Sequence, residues 1–591
     1  MNRLRRLSLS DLVRRPRDER GYAAMLVAAL AATILLPLSA MSVDVSRWYV
    51  EIERVQAAAD AAAMAGVTYM PNDFSSAQST ALAVAARNGY PNSGGTTVTA
   101  AVGPKPTQLV VTVKTTIKNS LASSFNKKWA VITRSATADY NGPAPMGSPC
   151  NTFGNEPAGT NLNGPVGSQL VVPAGGAQCS TNPKFWGSVH GPWVYKTQGD
   201  QIMTRYCKGY ESGCSGGSPQ KNDEFEPNGY FYVVRVGAAA VGSPVTLQIY
   251  DPAYAPAESN CTGVSGTGPS SSTSYYNDYT NTDAGTRYKD GLTDFCAGDS
   301  TSNGNRYGSS EVPTVTSFGL RSPIDTFVPT DAAPVAGCAK QYPGYSSSQM
   351  TFNALKQSSS SYNINLARVY HQWVTMCTFT PTTTGDYYLQ VRTNVPLSTS
   401  SPDGKGGYSS TSVYNSGDNT SVQGNGTNMF SLRAISSQAG ALSIAGWEHM
   451  SVFANSPVSV STFNLVRVVP AAASKTMVFQ FFDAGDAASG SGSIQILPPT
   501  ESTLSLNNCT ASGQYTGTLT NCKVTGVSGS SGWNGQAETI KVPIPNDYDC
   551  NVNSAGGCWF RVVVDFGSAS SVTDVTTWSA KIEGDPVRLI K

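Results

Sequence analysis

Between Gly21 and Val43 the chain runs for 23 residues without a charge, GYAAMLVAALAATILLPLSAMSV, and that run constrains the rest of the fold. As a helix it spans about 34 Å at about 1.5 Å per residue, enough to cross a hydrocarbon core of about 30 Å. Ahead of it stand Arg3, Arg5, Arg6, Arg14, Arg15, Arg17 and Arg20 against Asp11, Asp18 and Glu19. The basic excess is expected to stay cytoplasmic, which sends the C-terminal bulk to the outside. Pro37, late in the span, is expected to kink it. Ala40-Met41-Ser42 offers the small-x-small pattern of a signal-peptide cleavage site, but the apolar run exceeds a usual h-region. The helix is therefore read as a retained anchor.

The next stretch strengthens that reading. In VDVSRWYVEIERVQAAADAAAMAG, apolar residues recur at Val45, Trp48, Tyr49, Ile52, Val55, Ala59, Ala62 and Ala63. Steps of three and four predict an amphipathic helix over 44–66 that continues from the span, with Gly66 as its C-terminal stop.

This segment resembles the N-terminal part of TadE/TadG-like Flp pilus-assembly proteins. Those begin with a Gly-initiated apolar helix, then Val-Asp before an Arg, an aromatic, a Gln and an Ala-rich stretch. The matching residues are Gly21, Val43, Asp44, Arg47, Tyr49, Gln56, Ala59, Asp60 and Ala61 to Ala63. Downstream, a helix near 75–87 and strands near 96–101, 108–117 and 129–138 extend the likeness to roughly a quarter of the chain. Prepilin-like members processed by a dedicated peptidase carry Glu five residues after the cleavage-site Gly. Here that position is Leu26, which implies an uncleaved, TadG-like anchor. The resemblance implies a structural or accessory role in Flp (Tad-type) pilus assembly. Its implied partners are the membrane lipid bilayer and pilus-machine or cell-envelope proteins.

At 591 residues the chain is too long for a single core. Its 13% charged residues and abundant Gly, Ser, Thr and Asn suit short strands and many turns, and a net charge of +1 gives no attraction to nucleic acid. Twelve cysteines, Cys150, Cys179, Cys207, Cys214, Cys261, Cys296, Cys338, Cys377, Cys509, Cys522, Cys550 and Cys558, all follow residue 149. Outside the cytoplasm they read as disulfide staples, with Cys207/Cys214, Cys509/Cys522 and Cys550/Cys558 as near neighbours and connectivity otherwise open. Zinc is disfavoured, since no CxxC occurs and His190, His371 and His449 are the only histidines.

After the linker NGPAPMGSP, alternating apolar runs between turn residues predict β-sandwiches. Phe231–Val236 parallels Phe463–Val468, and Gln248–Asp251 parallels Gln480–Asp483, both at an offset of 232 residues. A duplication is inferred. Late strands at 386–391 and 558–563 fit it, with 430–433 and 586–589 expected to close the two units. The fold class is thus mainly β with an N-terminal transmembrane helix, a small α/β segment and two β-sandwich-like domains. The boundaries read 1–20 cytoplasmic basic segment, 21–43 span, 44–66 outer helix, 67–149 α/β segment and linker, 150–436 first sandwich, 437–591 second. A turn-rich insertion near 255–345 falls in the first sandwich.

No catalytic, cofactor-binding or metal-ligating residue is assigned, and no enzyme is expected. Gly213-Cys214-Ser215-Gly216-Gly217 satisfies G-x-S-x-G but lies in a Cys/Gly/Ser loop, not on a strand-to-helix elbow. Val562 to Ser568 comes nearest to a von Willebrand A metal turn, yet Gly567 stands at its first Ser position. The three histidines lack close acidic or cysteine company in the sequence. The acidic groups Asp278/Asn281/Asp283 and Asp483/Asp486 offer calcium-type oxygens without a complete loop pattern. The competing functional reading is a surface adhesin or glycan-binding envelope protein using the Tyr-rich insertion.

Overall fold

The computed structural model describes residues 19–70, 74–104, 108–120, 128–139, 144–154, 185–196, 199–207, 220–256, 299–301, 311–324, 328–355, 358–370, 372–399, 402–415, 424–456, 460–468, 470–487, 491–550, 558–567, 572–583 and 588–590. The chain divides into two compact units, 1–140 with 586–591, and 141–585.

In the first unit, α1 (Glu19–Leu30) passes through a π-helical turn at Ala31–Leu35 into α2 (Leu36–Gly66), with no break between them. Pro37, just past that turn, brings no N–H, so a carbonyl one turn earlier lacks its usual donor. The uncharged run is thereby shared among three segments. Among the described residues, no single helix is long and apolar enough to cross a membrane. Tyr22, Met25, Leu26, Val27 and Leu30 are each more than half exposed.

The outer part of α2 and helix α3 (Phe74–Arg87) cover one face of an antiparallel sheet. The sheet comprises β1 (Thr96–Val102), β2 (Gln108–Lys118), β3 (Trp129–Asp139) and the C-terminal strand Arg588–Ile590. Alternation sets the faces: Leu109, Val111, Val113, Ile132 and Ala136 point to the helices. The helical side of this core is built from Ala58, Ala59, Ala62, Ala63, Ala77, Ala81 and Ala85, all buried. Small side chains let the backbones approach closely. Gly66 shows how closely: a Cβ there would meet Ala77 O and Leu109 Cδ2, each at 2.6 Å. The helix ends at Gly66, as expected, but with ordinary helical angles (φ −70, ψ −37), so glycine is needed there for space and not for a left-handed conformation. Residues 586–591 belong to this unit, where Arg588–Ile590 pair with 137–139 of β3. The expectation that 586–589 close the second sandwich is corrected.

The second unit is a duplicated two-layer slab. Its principal strands are β4 (Phe185–His190), β5 (Tyr230–Val236), β6 (Val245–Tyr250), β7 (Thr316–Arg321), β8 (Pro334–Tyr342), β9 (Trp373–Phe379), β10 (Gly385–Arg392), β11 (Gly426–Ile435), β12 (Leu442–Trp447), β13 (His449–Ser456), β14 (Val460–Arg467), β15 (Thr476–Phe482), β16 (Gly492–Leu497), β17 (Lys523–Val527), β18 (Ala537–Pro543), β19 (Trp559–Asp565) and β20 (Val572–Glu583). One layer runs β8-β7-β10-β5 in the first repeat and β17-β16-β19-β14 in the second. The other runs β9-β6-β11 and β18-β15-β20. Seven strands thus recur in one chain order with one set of pairings.

The seam joins the repeats in both layers. β12 pairs with β5, and Met146 bridges Gly446 of β12 to Val466 of β14. In the other layer β4 pairs with both β11 and β13, and β13 pairs with β20. A single core runs through both repeats, with Tyr232 against Phe430 at 5.9 Å and Phe463 against Trp578 at 5.6 Å crossing between layers. The 436/437 division expected from sequence falls inside this seam and does not separate two cores. The expected insertion also narrows, because β7 and β8 within 255–345 are core strands equivalent to β16 and β17. Their sequences, TSFGLR and PVAGCAKQY, mix Gly and Ser with few β-branched residues, so they read as turns.

Candidate functional site

The family-like residues of α2 form a connected set on the first unit. Asp44, buried at 1% exposure, accepts the Ser120 N–H at 2.9 Å, and the Arg47 guanidinium lies 3.9 Å from the same carboxylate oxygen and donates to the Ser120 hydroxyl. Trp48 Nε1 donates to Asn119 Oδ1 at 2.9 Å. Two turns on, Gln56 donates to Asp60 Oδ1 at 2.8 Å and to Ser135 O of β3 at 3.4 Å. Tyr90 donates to Glu51 at 2.9 Å, and burial with that carboxylate pushes its hydroxyl up to about 12.

These contacts give the sequence pattern a physical meaning. Asp44 pins the start of the outer helix to the far end of β2, Gln56 holds its middle to β3, and Ala59, Ala62 and Ala63 provide the close packing below. Val43 and Tyr49, by contrast, are exposed at 49% and 67%. A Cβ on Gly21 would meet nothing within 4 Å, so the structure gives no packing reason for glycine there.

In the second unit His190 has a partner that the sequence reading denied it. Its Nδ1 lies 3.1 Å from Asp200 Oδ2, with both side chains fully buried. Asp200 Oδ1 also accepts from Tyr230 OH at 2.6 Å and from the amides of Ile202 and Met203. Burial and the Asp200 charge push the Tyr230 hydroxyl well up. With no solvent access, this group holds the turn at 199–203 against β4 and β5. Ten residues separate His190 from Asp200, a spacing that no motif marks. His449 packs edge-on to Tyr230 at 6.1 Å.

Asp251 and Asp483 end equivalent strands of the two repeats, and both are buried with positive φ (55° and 64°). Their amides donate to Gln372 O and Gln536 O, just before β9 and β18. Asp483 Oδ1 accepts from Gly535 N at 2.6 Å, so this carboxylate fastens a loop. Asp574 Oδ1 accepts the amides of Gly485 and Asp486, each at 3.0 Å, and burial followed by the nearby Asp486 carboxyl pushes its pKa up to about 7. Among the described residues no group of three or more His, Cys, Asp or Glu converges on a metal-sized site.

Cys509–Cys522 and Cys550–Cys558 are bonded, as is the unforeseen pair Cys338–Cys377, which ties β8 to β9 across the layers. Cys150 and Cys207 are disulfide-bonded too. Cys214, Gly213 to Gly217, His371, Asp278, Asn281, Asp283 and Ser568 lie outside the described residues. A groove of about 610 Å³ opens between β8 and residues 396–398 and 409–414, walled by Val335, Leu397, Ser409, Ser412 and Tyr414. Tyr414 points its hydroxyl inward, onto Leu320 O and Cys338 O. The groove offers apolar and hydroxyl contacts without an acid, base or nucleophile pair.

Residues 21–68 match the family model described as Flp pilus-assembly TadE/G-like. The match covers the uncharged run and the Asp44-to-Ala63 contact set, and stops where α2 gives way to the 3-10 turn Val67–Tyr69. No curated protein and no solved structure matches the chain.

Proposed function

We propose that the chain is a non-catalytic structural component of Flp-type pilus assembly, anchored in the cytoplasmic membrane by residues 21–43 with residues 44–591 outside. The match of residues 21–68 to a pilus-assembly family carries this reading. Three further facts support it. The α1–π–α2 path is continuous, and its 23 uncharged residues are long enough in total to cross a bilayer. Met25, Leu26, Val27, Leu30 and Ile34 face outward instead of into a protein core, as a lipid-facing helix requires. The disulfides suit an oxidising compartment. The direct test is carbonate extraction of membranes together with protease protection. The chain should stay in the pellet, with residues 44–591 digestible only from the outer side. Purification from a piliated strain should recover pilus-machine proteins, and recovery of none would count against the pilus assignment.

A second reading, glycan binding, draws on the groove beside β8, whose Ser hydroxyls and apolar wall suit a sugar face. Loss of polysaccharide binding in a Ser409→Ala/Ser412→Ala variant would favour it.

A further inference from the structure

One end of the first unit's sheet is fastened beside the point where the uncharged run stops. Val43 is the last residue of that run. The next residue, Asp44, holds the Ser120 amide, and Trp48 holds Asn119. The ends of β2 and β3 at Lys118 and Trp129 therefore stand beside the first turns of α2 beyond the run. Lys118 and Trp129 are register partners and share the sheet face that the helices do not cover.

That face is unusual in two respects. Trp129 and Val131 are 59% and 58% exposed, large apolar area left in water at one end of a small unit. Moreover, the sequence from 108 to 138 contains no acidic residue, while Lys114 and Lys118 of β2 lie on that face and Lys128 immediately precedes β3, in a chain of net charge +1. Lys114, Lys118 and Lys128 are exposed, as are Arg47 and Tyr49 on α2, whereas the nearby acid, Asp44, is buried.

We propose that this end of the unit rests on the outer membrane–water boundary, with Trp129 and Tyr49 at headgroup depth and Lys118, Lys128 and Arg47 against anionic phospholipid headgroups. The inference rests on the reading of 21–43 as a span. Trp and Tyr favour that boundary because an apolar ring and a polar N–H or O–H are both satisfied there. Basic side chains are drawn to anionic headgroups within a Debye length, and Asp44 keeps them at that level. The contact would fix the tilt of the whole first unit on the membrane.

The test uses the full chain in lipid nanodiscs. A label on Trp129→Cys, or separately on Met25→Cys, is read against the parent chain carried through the same labelling, so that the difference reports one site. In discs containing phosphatidylglycerol, headgroup spin-labelled lipid should quench the Trp129→Cys label. Quenching should fall several-fold in neutral discs, or when Lys118→Glu/Lys128→Glu is added, at about fivefold in the contact equilibrium per basic residue removed. Equal quenching in neutral and anionic discs would overturn the headgroup assignment. If acyl-chain spin label quenches Met25→Cys but nothing quenches Trp129→Cys, the surface contact is wrong and the span stands. If neither label is quenched, the span fails and the contact with it.

Discussion

The two units solve the same problem, covering a sheet, with opposite materials. The first packs alanines against β2 and β3, so that α2 and α3 lie close, and the described part of it contains no cysteine. The second interleaves large aromatics between two sheet layers and fastens them with disulfides at matching places. Cys338–Cys377 joins β8 to β9, and Cys509–Cys522 joins the strand beside β18 to the start of β17. A close-packed alanine interface should fail when volume is added. A stapled slab should fail when cross-links are removed.

The largest expected effect follows from that contrast. Replacing Cys338 and Cys377 with Ala opens a 39-residue loop and should cost about 4 kcal/mol on chain-entropy grounds. Hydrogen exchange should show faster opening in peptides of β7 to β10 and no change in β1 to β3. Equal loosening of both units would break the comparison. Gly66→Val acts in the other direction. Two of its three nearest contacts would fall well inside van der Waals distance, and one of those is the backbone oxygen of Ala77. A loss of about 3 kcal/mol confined to the first unit is expected. A tolerated valine would show that α2 can move away from the sheet.

Within the first unit the two family-like acids should separate. Asp44→Ala removes a buried carboxylate from the Ser120 amide and should cost about 2 kcal/mol. Asp60→Ala breaks only a half-exposed pair with Gln56 and should cost under about 1 kcal/mol. Chemical denaturation followed by Trp48 and Trp129 fluorescence would rank them.

How much of this was legible beforehand depends on the range of the interactions. The α2 pattern could be read because it is a local run in which each residue has one job, though the reason for Gly66 was hidden in Ala77 and Leu109. The duplication was legible at β5–β6 and β14–β15, where Arg235/Arg467, Gln248/Gln480 and Asp251/Asp483 keep one offset. It was not legible at β7 and β8, whose Gly- and Ser-containing strands are defined by their neighbours more than by their own propensity. The 3-10 turns Ala238–Ala240 and Pro470–Ala472 also sit at that offset of 232. The His190–Asp200–Tyr230 group and the Cys338–Cys377 bond escaped because each joins strands whose adjacency only the fold determines.

The two repeats also differ in their buried carboxyls. Asp299 sits beside Asp251 in the first repeat, and burial followed by that neighbour holds it well above the usual carboxylate range. Asp574 in the second is pushed up to about 7 from an ordinary value of 3.8, by burial and then by Asp486. A raised carboxyl binds its proton more tightly when folded than when unfolded. Between about pH 4 and pH 7 the native state holds a proton that the unfolded state has lost, so stability must fall as pH rises through that window. Asp574→Asn keeps an oxygen to accept the Gly485 and Asp486 amides while removing the charge. It should therefore be more stable than the parent at pH 8, by up to about 4 kcal/mol, and nearly equal to it at pH 4. Urea midpoints at the two pH values would measure this. Part of the slope should survive in the variant, because Asp486 and Glu538 are also raised by burial and Asp299 still titrates in the other repeat. An unchanged slope would mean that Asp574 is not the group through which the second repeat senses pH.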